Sequence, residues 1–337
     1  MAYRVLVWGL GAMGSGIARN VFSKKYLRLV GAVEINKEFI GKDIGAVIGE
    51  EEYGAKIYND PEKAINATNP DVVIIATNSF MKEVEPKILL VLNHSVNVVT
   101  IAEEMAYPFY SHPESSEIIH NTAVRNGVTV VGTGINPGFI MDVLAIALSG
   151  TCLKVNGVFA RRVNDLSPFG KTVMETQGVG TTPEEFKEGI EKGTIVGHIG
   201  FQQSIRMIGD ALGWELTKIE ETREPIISKT KRRTAVVSVE PGMVAGCKHI
   251  GKGYIDDDPV IELVHPQQIQ PEKESVETGD YIIIEGEPRI NLSIQPEIPG
   301  GIGTIAVATN VIGDVVEAEP GFISMLDLPV PRMMANR

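Results

Sequence analysis

Three glycines near the start of the chain have the spacing G-x-G-x-x-G, which is typical of a loop that binds a dinucleotide. They are Gly9, Gly11 and Gly14, and an apolar run precedes them. In this motif the first glycine makes a tight turn, the second lets a pyrophosphate approach the backbone, and the third lets a helix lie close to the strand. Ala12 and Met13 begin that helix, whose free N–H groups point at the phosphates. The motif predicts a dinucleotide-binding site.

An acidic residue follows the glycine loop at the distance that such sites use. Glu34 ends the apolar run "GAVE", twenty residues after Gly14. An acid there can bind the ribose 2′-hydroxyl and disfavours a 2′-phosphate, so NAD(H) is the expected cofactor. Lys37 follows closely enough to neutralise a 2′-phosphate. NADP(H) therefore stays open as a second cofactor.

Two adjacent acids end another apolar run, in the segment "NVVTIAEEMAYP" at residues 97–108. They are Glu103 and Glu104, and both are candidate catalytic residues. Because neighbouring side chains point in different directions, only one of them is expected to face a ligand. A carboxylate at this position can act as a general base, with a pKa that partial burial raises toward the working pH. The sequence leaves open which of the two has this role.

Polar residues follow two further strand-like runs. Thr77, Asn78 and Ser79 come after "PDVVIIA", where ligands of an open α/β sheet bind. They could contact the ribose or the nicotinamide, and they could also cap the next helix. Asn136 and Pro137 form a turn after "VTVVGTG". Backbone groups of that turn are expected to face the nicotinamide ring, and the turn is expected to act as a hinge.

Candidate substrate-binding residues lie in the second half of the chain. Arg161 and Arg162 are adjacent on a strand, so one is expected to hold a carboxylate and the other to be solvated. His198 precedes a helix pattern, where it could meet a substrate anion or carbonyl, or simply cap the helix. The six histidines lack H-E-x-x-H or any paired metal spacing, so no catalytic metal is expected.

The elements that must position these residues form two patterns. Residues 1–140 alternate between Val/Ile-rich strands and helices, which predicts an α/β Rossmann domain with a doubly wound parallel sheet. Residues 141–300 predict an α+β substrate-binding domain bearing an open, mainly antiparallel sheet. Its signals are a helix capped by Thr182, strands at "TAVVSVE" and "PVIELVH", and a hairpin made by "YIIIEG" and "RINLSIQ". The single helix expected from about residue 300 onward, within 300–337, should return to the dinucleotide-binding domain.

Composition excludes several other classes of protein. The net charge is −12 over 337 residues and no basic run is longer than "KTKRR", which disfavours a nucleic-acid partner. The two cysteines give no disulfide framework and fit a reducing compartment. The chain does not begin with a signal-peptide pattern, and no apolar run approaches the roughly 18 residues of a membrane helix. A cytoplasmic protein without a membrane segment is expected.

Five segments are distinctive when taken together: "VWGLGAMG", "IAEEMAYP", "GTGINPGFIMD", "GHIGFQQSIRMIGDALGW" and "VIGDVVEAEPGFISMLDLP". With them, the chain resembles the 2,4-diaminopentanoate dehydrogenases and the related native amine dehydrogenases over nearly its full length. The resemblance implies an N-terminal domain of the dihydrodipicolinate-reductase type and a homodimer formed through the open sheet. It also implies reversible, NAD(P)-dependent deamination of an amine to a ketone or aldehyde plus ammonia. The family's functional glutamate then maps to Glu103 or Glu104.

Two other functions are weighed against this one. A reductase of a cyclic imine, on the dihydrodipicolinate-reductase pattern, would turn over without ammonia. That family's His-His pair is missing from this sequence, and "TIAEE" stands where its Gly-Thr-Thr loop would be. A non-enzymatic NAD(P)-sensing protein would bind NADH but would not oxidise amines. The sequence does not decide between a diamino acid, which needs groups for its carboxylate, and a short alkylamine, which needs an apolar pocket.

Overall fold

Short apolar runs separated by glycine, proline and asparagine divide the chain into many short strands and helices. The structure is a computed structural model, and it describes residues 2–334. By its internal contacts the chain forms two units, which we call the first unit (Met1–Phe139 with Gly300–Arg337) and the second unit (Ile140–Pro299). No helix among the described residues is long and apolar enough to cross a membrane.

Strands and helices of the first unit alternate along the chain. In order they are β1 (Tyr3–Trp8), α1 (Ala12–Ser23), β2 (Leu27–Val33), α2 (Ile44–Ile48), β3 (Lys56–Tyr58), α3 (Pro61–Thr68), β4 (Val72–Ile75), α4 (Met81–Asn93), β5 (Asn97–Thr100), α5 (Pro113–Asn126) and β6 (Thr129–Gly132). The second unit contains α6 (Val143–Ser149), β7 (Lys154–Asp165), α7 (Lys171–Thr176), α8 (Pro183–Glu191), α9 (Phe201–Ala211), β8 (Lys218–Ile227), β9 (Arg232–Arg233), β10 (Ser238–Val239), β11 (Val244–Ile255), β12 (Asp258–Gln268), β13 (Gly279–Glu287) and β14 (Ile290–Ile294). The first unit is completed by α10 (Gly300–Asn310), α11 (Ile312–Glu317) and β15 (Gly321–Ile323).

The first unit is built on a seven-stranded parallel sheet with the strand order β15-β6-β5-β4-β1-β2-β3. Its central strands are apolar because both of their faces are covered, and all four residues of β4 are buried. The strand order reverses between β1 and β4, which is where an open α/β sheet binds ligands. The predicted Rossmann fold is confirmed.

The C-terminal segment returns to the first unit. A Cβ added to Gly16 of α1 would clash with Ile305 of α10, so the two helices are in direct contact. The single helix expected here is divided at Val311 into α10 and α11. The segment then adds β15, a strand that the sequence did not predict, and Gly321 donates a hydrogen bond to the carbonyl of Val128 at 3.0 Å.

The second unit contains a six-stranded sheet with the order β14-β13-β7-β12-β11-β8. Only β7 and β12 pair in parallel among these described strands, so the sheet is mainly antiparallel, as predicted. The hairpin of β13 and β14 is present. Thr182 accepts a hydrogen bond from the backbone of Glu185 while the Glu185 side chain accepts one from the backbone of Thr182, which is the capping box expected at α8.

Two long strands of this sheet were not predicted. In β8, charged residues occupy both faces of an edge strand, and Glu221 and Arg223 bond each other at 2.9 Å. The strand β11 contains Gly251 and Gly253. A Cβ at Gly251 would lie 2.8 Å from Phe201 of α9, so these glycines let the helix pack closely on the sheet. The strand expected at "TAVVSVE" was largely wrong, because only the two residues of β10 pair there, with β9.

Candidate active site

The glycine loop after β1 has the geometry that its motif predicts. Gly9 has a φ of +97°, and a Cβ there would lie 2.7 Å from the carbonyl oxygen of Ala76. A Cβ at Gly14 would clash with the carbonyl of Gly9, so α1 lies directly on the loop. At Gly11, by contrast, no heavy atom among the described residues comes within 4 Å of an added Cβ. The space beside Gly11 is therefore open to a ligand.

The start of α1 is also available to an anion. Gly11 is its N-cap residue, and among the described residues no side chain caps this end. Ala12 and Met13 form the first turn of the helix, whose N–H groups lack an intrahelical acceptor. Uncapped N–H groups and the helix dipole together favour phosphate binding. The loop and helix thus fit a dinucleotide.

Glu34 is held at the end of β2 by three backbone N–H groups. Leu10 donates to its carboxylate at 2.7 Å, and Ile35 and Asn36 donate at 2.7 Å and 3.1 Å. Burial alone would raise the pKa of Glu34, but these three hydrogen bonds outweigh it and lower the pKa. A carboxylate has about four acceptor sites, so one remains for a ribose hydroxyl.

Two neighbours of Glu34 are exposed. Lys37 lies at the surface, where it could reach a phosphate group. Ile35 is 86% exposed, which is high for a large apolar side chain. Its exposure was not anticipated from the sequence, because a single isoleucine after a strand gives no signal of its own.

The loop after β4 is tied together by a lysine. Lys87 of α4 donates to the hydroxyl of Thr77 at 2.7 Å and also donates to the side-chain carbonyl of Asn78. The amide of Asn78 donates to Glu83 at 3.1 Å. Lys87 was not predicted, because a lone lysine in a helical pattern does not reveal that it contacts the preceding loop.

Glu103 lies in the 3₁₀ turn Glu103–Ala106 that follows β5. Burial raises the pKa of its carboxyl, and the nearby Glu104 raises that pKa further. A hydrogen bond from Ser79 and one from the backbone of Glu103 itself lower the pKa, but the net shift is upward. A Cβ at Gly132 would clash with the backbone of Met105, so β6 supports this turn. Glu103 is therefore a half-buried, proton-accepting group at the carboxyl edge of the sheet.

Glu104 has different partners, although it is adjacent in sequence. Its carboxylate accepts a hydrogen bond from the backbone N–H of Met81 at 2.7 Å, at the start of α4. It also lies 3.3 Å from the imidazole of His112, the N-cap residue of α5. Glu104 therefore joins the starts of two helices.

The turn at Asn136 and Pro137 lies after β6, as predicted. Its peptide bond is cis, Pro137 is buried and Asn136 is half-buried. Ile135 donates a backbone hydrogen bond to Thr304 of α10 at 3.2 Å. The structure thus fixes this turn against the C-terminal part of the first unit.

The second unit contains a cluster of buried rings near the start of α9. The ring centroids of His198 and His265 are 4.8 Å apart, and Phe201 stacks on His249 at 4.6 Å. Burial is the main cause that lowers the pKa of His198 to about 3 and that of His265 well below its usual value. Both rings are therefore neutral in the working range of most enzymes. Within residues 2–334, no group of three or more His, Cys, Asp or Glu side chains could hold a metal ion.

The two adjacent arginines of β7 point to opposite faces. Arg161 is exposed, whereas Arg162 is 2% exposed. Arg162 forms an ion pair with Asp280 and donates to the carbonyl of Ile298 at 2.6 Å. The positive charge of Arg162 also lowers the pKa of both His198 and His265, so it is near them. The structure brings Arg162, rather than Arg161, together with His198.

A parallel sheet with an open glycine loop, an uncapped helix start and an ionised acid after β2 defines a dinucleotide-binding protein of the Rossmann type. The comparisons with known proteins agree. The family model for the 2,4-diaminopentanoate dehydrogenase C-terminal domain matches residues 139–337, and the one for the dihydrodipicolinate reductase N-terminus matches residues 3–100. The chain belongs to the 2,4-diaminopentanoate dehydrogenase family.

Individual relatives span nearly the whole chain. A 2,4-diaminopentanoate dehydrogenase of Acetoanaerobium sticklandii is 46% identical over 98% of this chain and 94% of its own length. The structure of an amine dehydrogenase from Mycobacterium smegmatis has a TM-score of 0.88 at 27% identity, covering 99% of this chain and 98% of that one. A dihydrodipicolinate reductase from Paenisporosarcina sp. TG-14 shares the fold, with a TM-score of 0.54 at 14% identity over 97% of this chain and 99% of that one. The predicted family, and with it the predicted class of NAD(P)-dependent amine dehydrogenase, is confirmed.

Proposed function

We propose that this chain catalyses the reversible oxidative deamination of an amine with NAD(H), and that Glu103 accepts the proton. The observation that supports this most is the state of the Glu103 carboxyl, whose pKa is raised by burial. It follows β5, and the glycine loop follows β1; both strands end at the same edge of one parallel sheet. A carboxylate tuned toward the working pH is what general base catalysis needs.

The chemistry assigns Glu103 a series of proton transfers. An ammonium nitrogen has no lone pair, so the amine must lose a proton before hydride can leave its carbon; ionised Glu103 takes that proton. The nicotinamide ring, when bound, accepts the hydride. After that proton has passed to solvent, Glu103 takes another from the water that adds to the substrate iminium and passes it to the nitrogen of the resulting carbinolamine. The C–N bond then breaks, ammonia leaves, and the hydroxyl proton of the carbinolamine returns to Glu103. In the reverse direction Glu103 orients ammonia and returns the proton to the departing water.

Glu104 has a supporting role in this proposal. Its carboxylate already accepts the N–H of Met81 and faces His112. Protonation of Glu104 would remove the negative charge that strengthens its hydrogen bond to the start of α4. Glu103 is therefore the better candidate of the two.

NAD(H) is the proposed cofactor. The lowered pKa of Glu34 keeps its carboxylate ionised at the place where the adenosine ribose binds in this fold. A carboxylate accepts a hydrogen bond from a 2′-hydroxyl and repels a 2′-phosphate. Lys37, which could offset that repulsion, is exposed, so salt and water screen its charge.

A diamino acid resembling 2,4-diaminopentanoate is the proposed substrate, in preference to a short alkylamine. Arg162 donates to Asp280 and to the carbonyl of Ile298. A guanidinium has five N–H donors, so further donors remain for a substrate carboxylate. The neutral rings of His198 and His265 can add hydrogen bonds without adding charge. An alkylamine would leave this buried polar group without a ligand carboxylate to bind.

We also propose that the chain forms a homodimer through the sheet face opposite α9. In one cross-strand row the neighbours are Tyr281, Arg161, Val264 and Ile250, of which the three uncharged residues are half-buried in the single chain. A row with this much partly exposed apolar surface is typical of an interface between subunits. A second copy of the same sheet is the proposed occupant.

A panel of amines tested with both cofactors examines the reaction and the substrate class together. Formation of NADH, followed by its near-ultraviolet absorbance, should depend on a diamino acid, and the reverse reaction should require ammonia. NADH binding without amine-dependent turnover would refute the proposal, as would carbonyl or imine reduction that proceeds equally well without ammonia.

A further inference from the structure

Lys87 is a half-buried cation that the proposed reaction does not use. Burial lowers its pKa, and the nearby Glu83 acts in the opposite direction. Its ammonium group donates to Thr77 at 2.7 Å and to the side-chain carbonyl of Asn78. A lysine in this position is held by the loop, and it constrains the loop in return.

The contacts of Lys87 fix the hydrogen-bonding direction of both partners. An ammonium group has three donors and no acceptor. The oxygen of the Asn78 amide must therefore face Lys87, and its nitrogen must face Glu83, to which it donates at 3.1 Å. The hydroxyl of Thr77 accepts from Lys87, so its own hydrogen is left to donate elsewhere.

The next residue of the loop, Ser79, directs its hydrogen toward Glu103 instead. Ser79 hydrogen-bonds the Glu103 carboxyl and lowers its pKa, so Ser79 acts as a donor to the carboxylate. Thr77 is also adjacent to the dinucleotide loop, because a Cβ added to Gly9 would lie 2.9 Å from its methyl group. Thr77 and Asn78 thus each keep a donor while their acceptor oxygens bind Lys87, whereas the Ser79 hydrogen is used on Glu103.

We propose that Lys87 is a positioning residue that makes Thr77 and Asn78 a hydrogen-bond donor edge for acceptor oxygens of the nicotinamide dinucleotide. The inference rests on the proposed use of that cofactor. Lys87 itself does not touch the cofactor in this account; it acts by holding the side chains of Thr77 and Asn78 in one orientation. Without it the Asn78 amide is free to turn its oxygen toward the ligand, where two acceptors would oppose each other.

The test measures NADH binding by fluorescence in the absence of any amine. Lys87→Met, which keeps the length but removes the donors, should weaken NADH binding about tenfold, as expected for the loss of one or two hydrogen bonds. Lys87→Arg restores donors and should recover most of the affinity. Lys82→Met removes an exposed lysine from the same helix and should bind NADH like the wild type.

A second variant keeps the inference testable even if Lys87→Met is unstable. Asn78→Asp has the same shape and retains the contact with Lys87, but offers the ligand no donor; it should also weaken NADH binding about tenfold. Wild-type affinity in either Lys87→Met or Asn78→Asp would overturn the inference and leave the proposed reaction standing. A wild-type protein that does not bind NADH would refute the proposed function itself.

Discussion

The ion pair between Glu274 and Arg232 is the part of the second unit whose contribution to stability can be calculated most directly. Arg232 is completely buried and Glu274 is 17% exposed, with 2.8 Å between their charged atoms. Glu274 also accepts a hydrogen bond from the backbone N–H of Lys229 at 2.7 Å. We therefore expect Glu274→Gln to leave a buried guanidinium without its counter-charge.

The magnitude follows from the pKa of Glu274. Burial would raise that pKa, but hydrogen bonds from Arg232, Lys229 and Ser228, together with the charge of Arg232, lower it from 4.5 to about 2. A shift of about 2.5 units corresponds to about 3 kcal/mol of stability. Because the folded-state pKa is the lower one, this contribution is fully present above pH 4.5 and is lost as the pH falls toward 2. Removing one partner of a buried pair costs a similar amount, about 3–5 kcal/mol.

Urea unfolding of the wild type and Glu274→Gln measures this difference. At about pH 7 the variant should be less stable by about 3 kcal/mol, and by about pH 3 more than half of that deficit should disappear. Glu272→Gln, on the exposed side of the same turn, serves as the control and should change nothing. A variant as stable as this control at neutral pH, or a deficit that stays constant down to about pH 3, would refute the reasoning.

Three further predictions concern the cofactor, the base and the assembly. Glu34→Ser removes the carboxylate that opposes a 2′-phosphate, so the ratio of kcat/KM with NADP to that with NAD should rise at least about tenfold; an unchanged ratio would contradict the proposed role. Ser79→Ala removes a hydrogen bond that lowers the pKa of Glu103. The rising limb of the deamination pH profile should therefore move to higher pH, by up to about one unit, and a shift to lower pH would count against it. Val264→Glu places a charge on the proposed dimer face, so sedimentation should show a monomer where the wild type sediments as a dimer. Equal sedimenting masses of the variant and the wild type would argue against this interface.

Local patterns predicted the first unit well because its signals lie close together in sequence. The four-residue apolar strand β4 and the glycine loop each depend on neighbours within a few positions. In the second unit the capping box at Thr182 is equally local. The strand β11 could not be predicted from its own residues, because its glycines are required by α9, which packs against them.

The candidate site shows the same limit. The sequence predicted two acids after β5 but not which of them is catalytic. The difference is that Glu104 caps the start of α4, a contact that the sequence does not reveal. Lys87 was missed since its partners become visible only when α4 folds back on the preceding loop. The sequence could not distinguish the roles of Arg162 and Arg161, because they differ by the ion pair that Arg162 forms with Asp280 of β13.

Replacing the two acids separately tests the central claim most directly. The account predicts that Glu103→Gln lowers kcat for amine oxidation by about 10²–10⁴-fold, the usual contribution of a general base, while NADH binds as it does to the wild type. Glu104→Gln should keep most of the turnover and lose thermal stability, because Glu104 caps α4. Wild-type turnover in Glu103→Gln would contradict the account. So would a Glu104→Gln variant that is folded but inactive, if Glu103→Gln remains active.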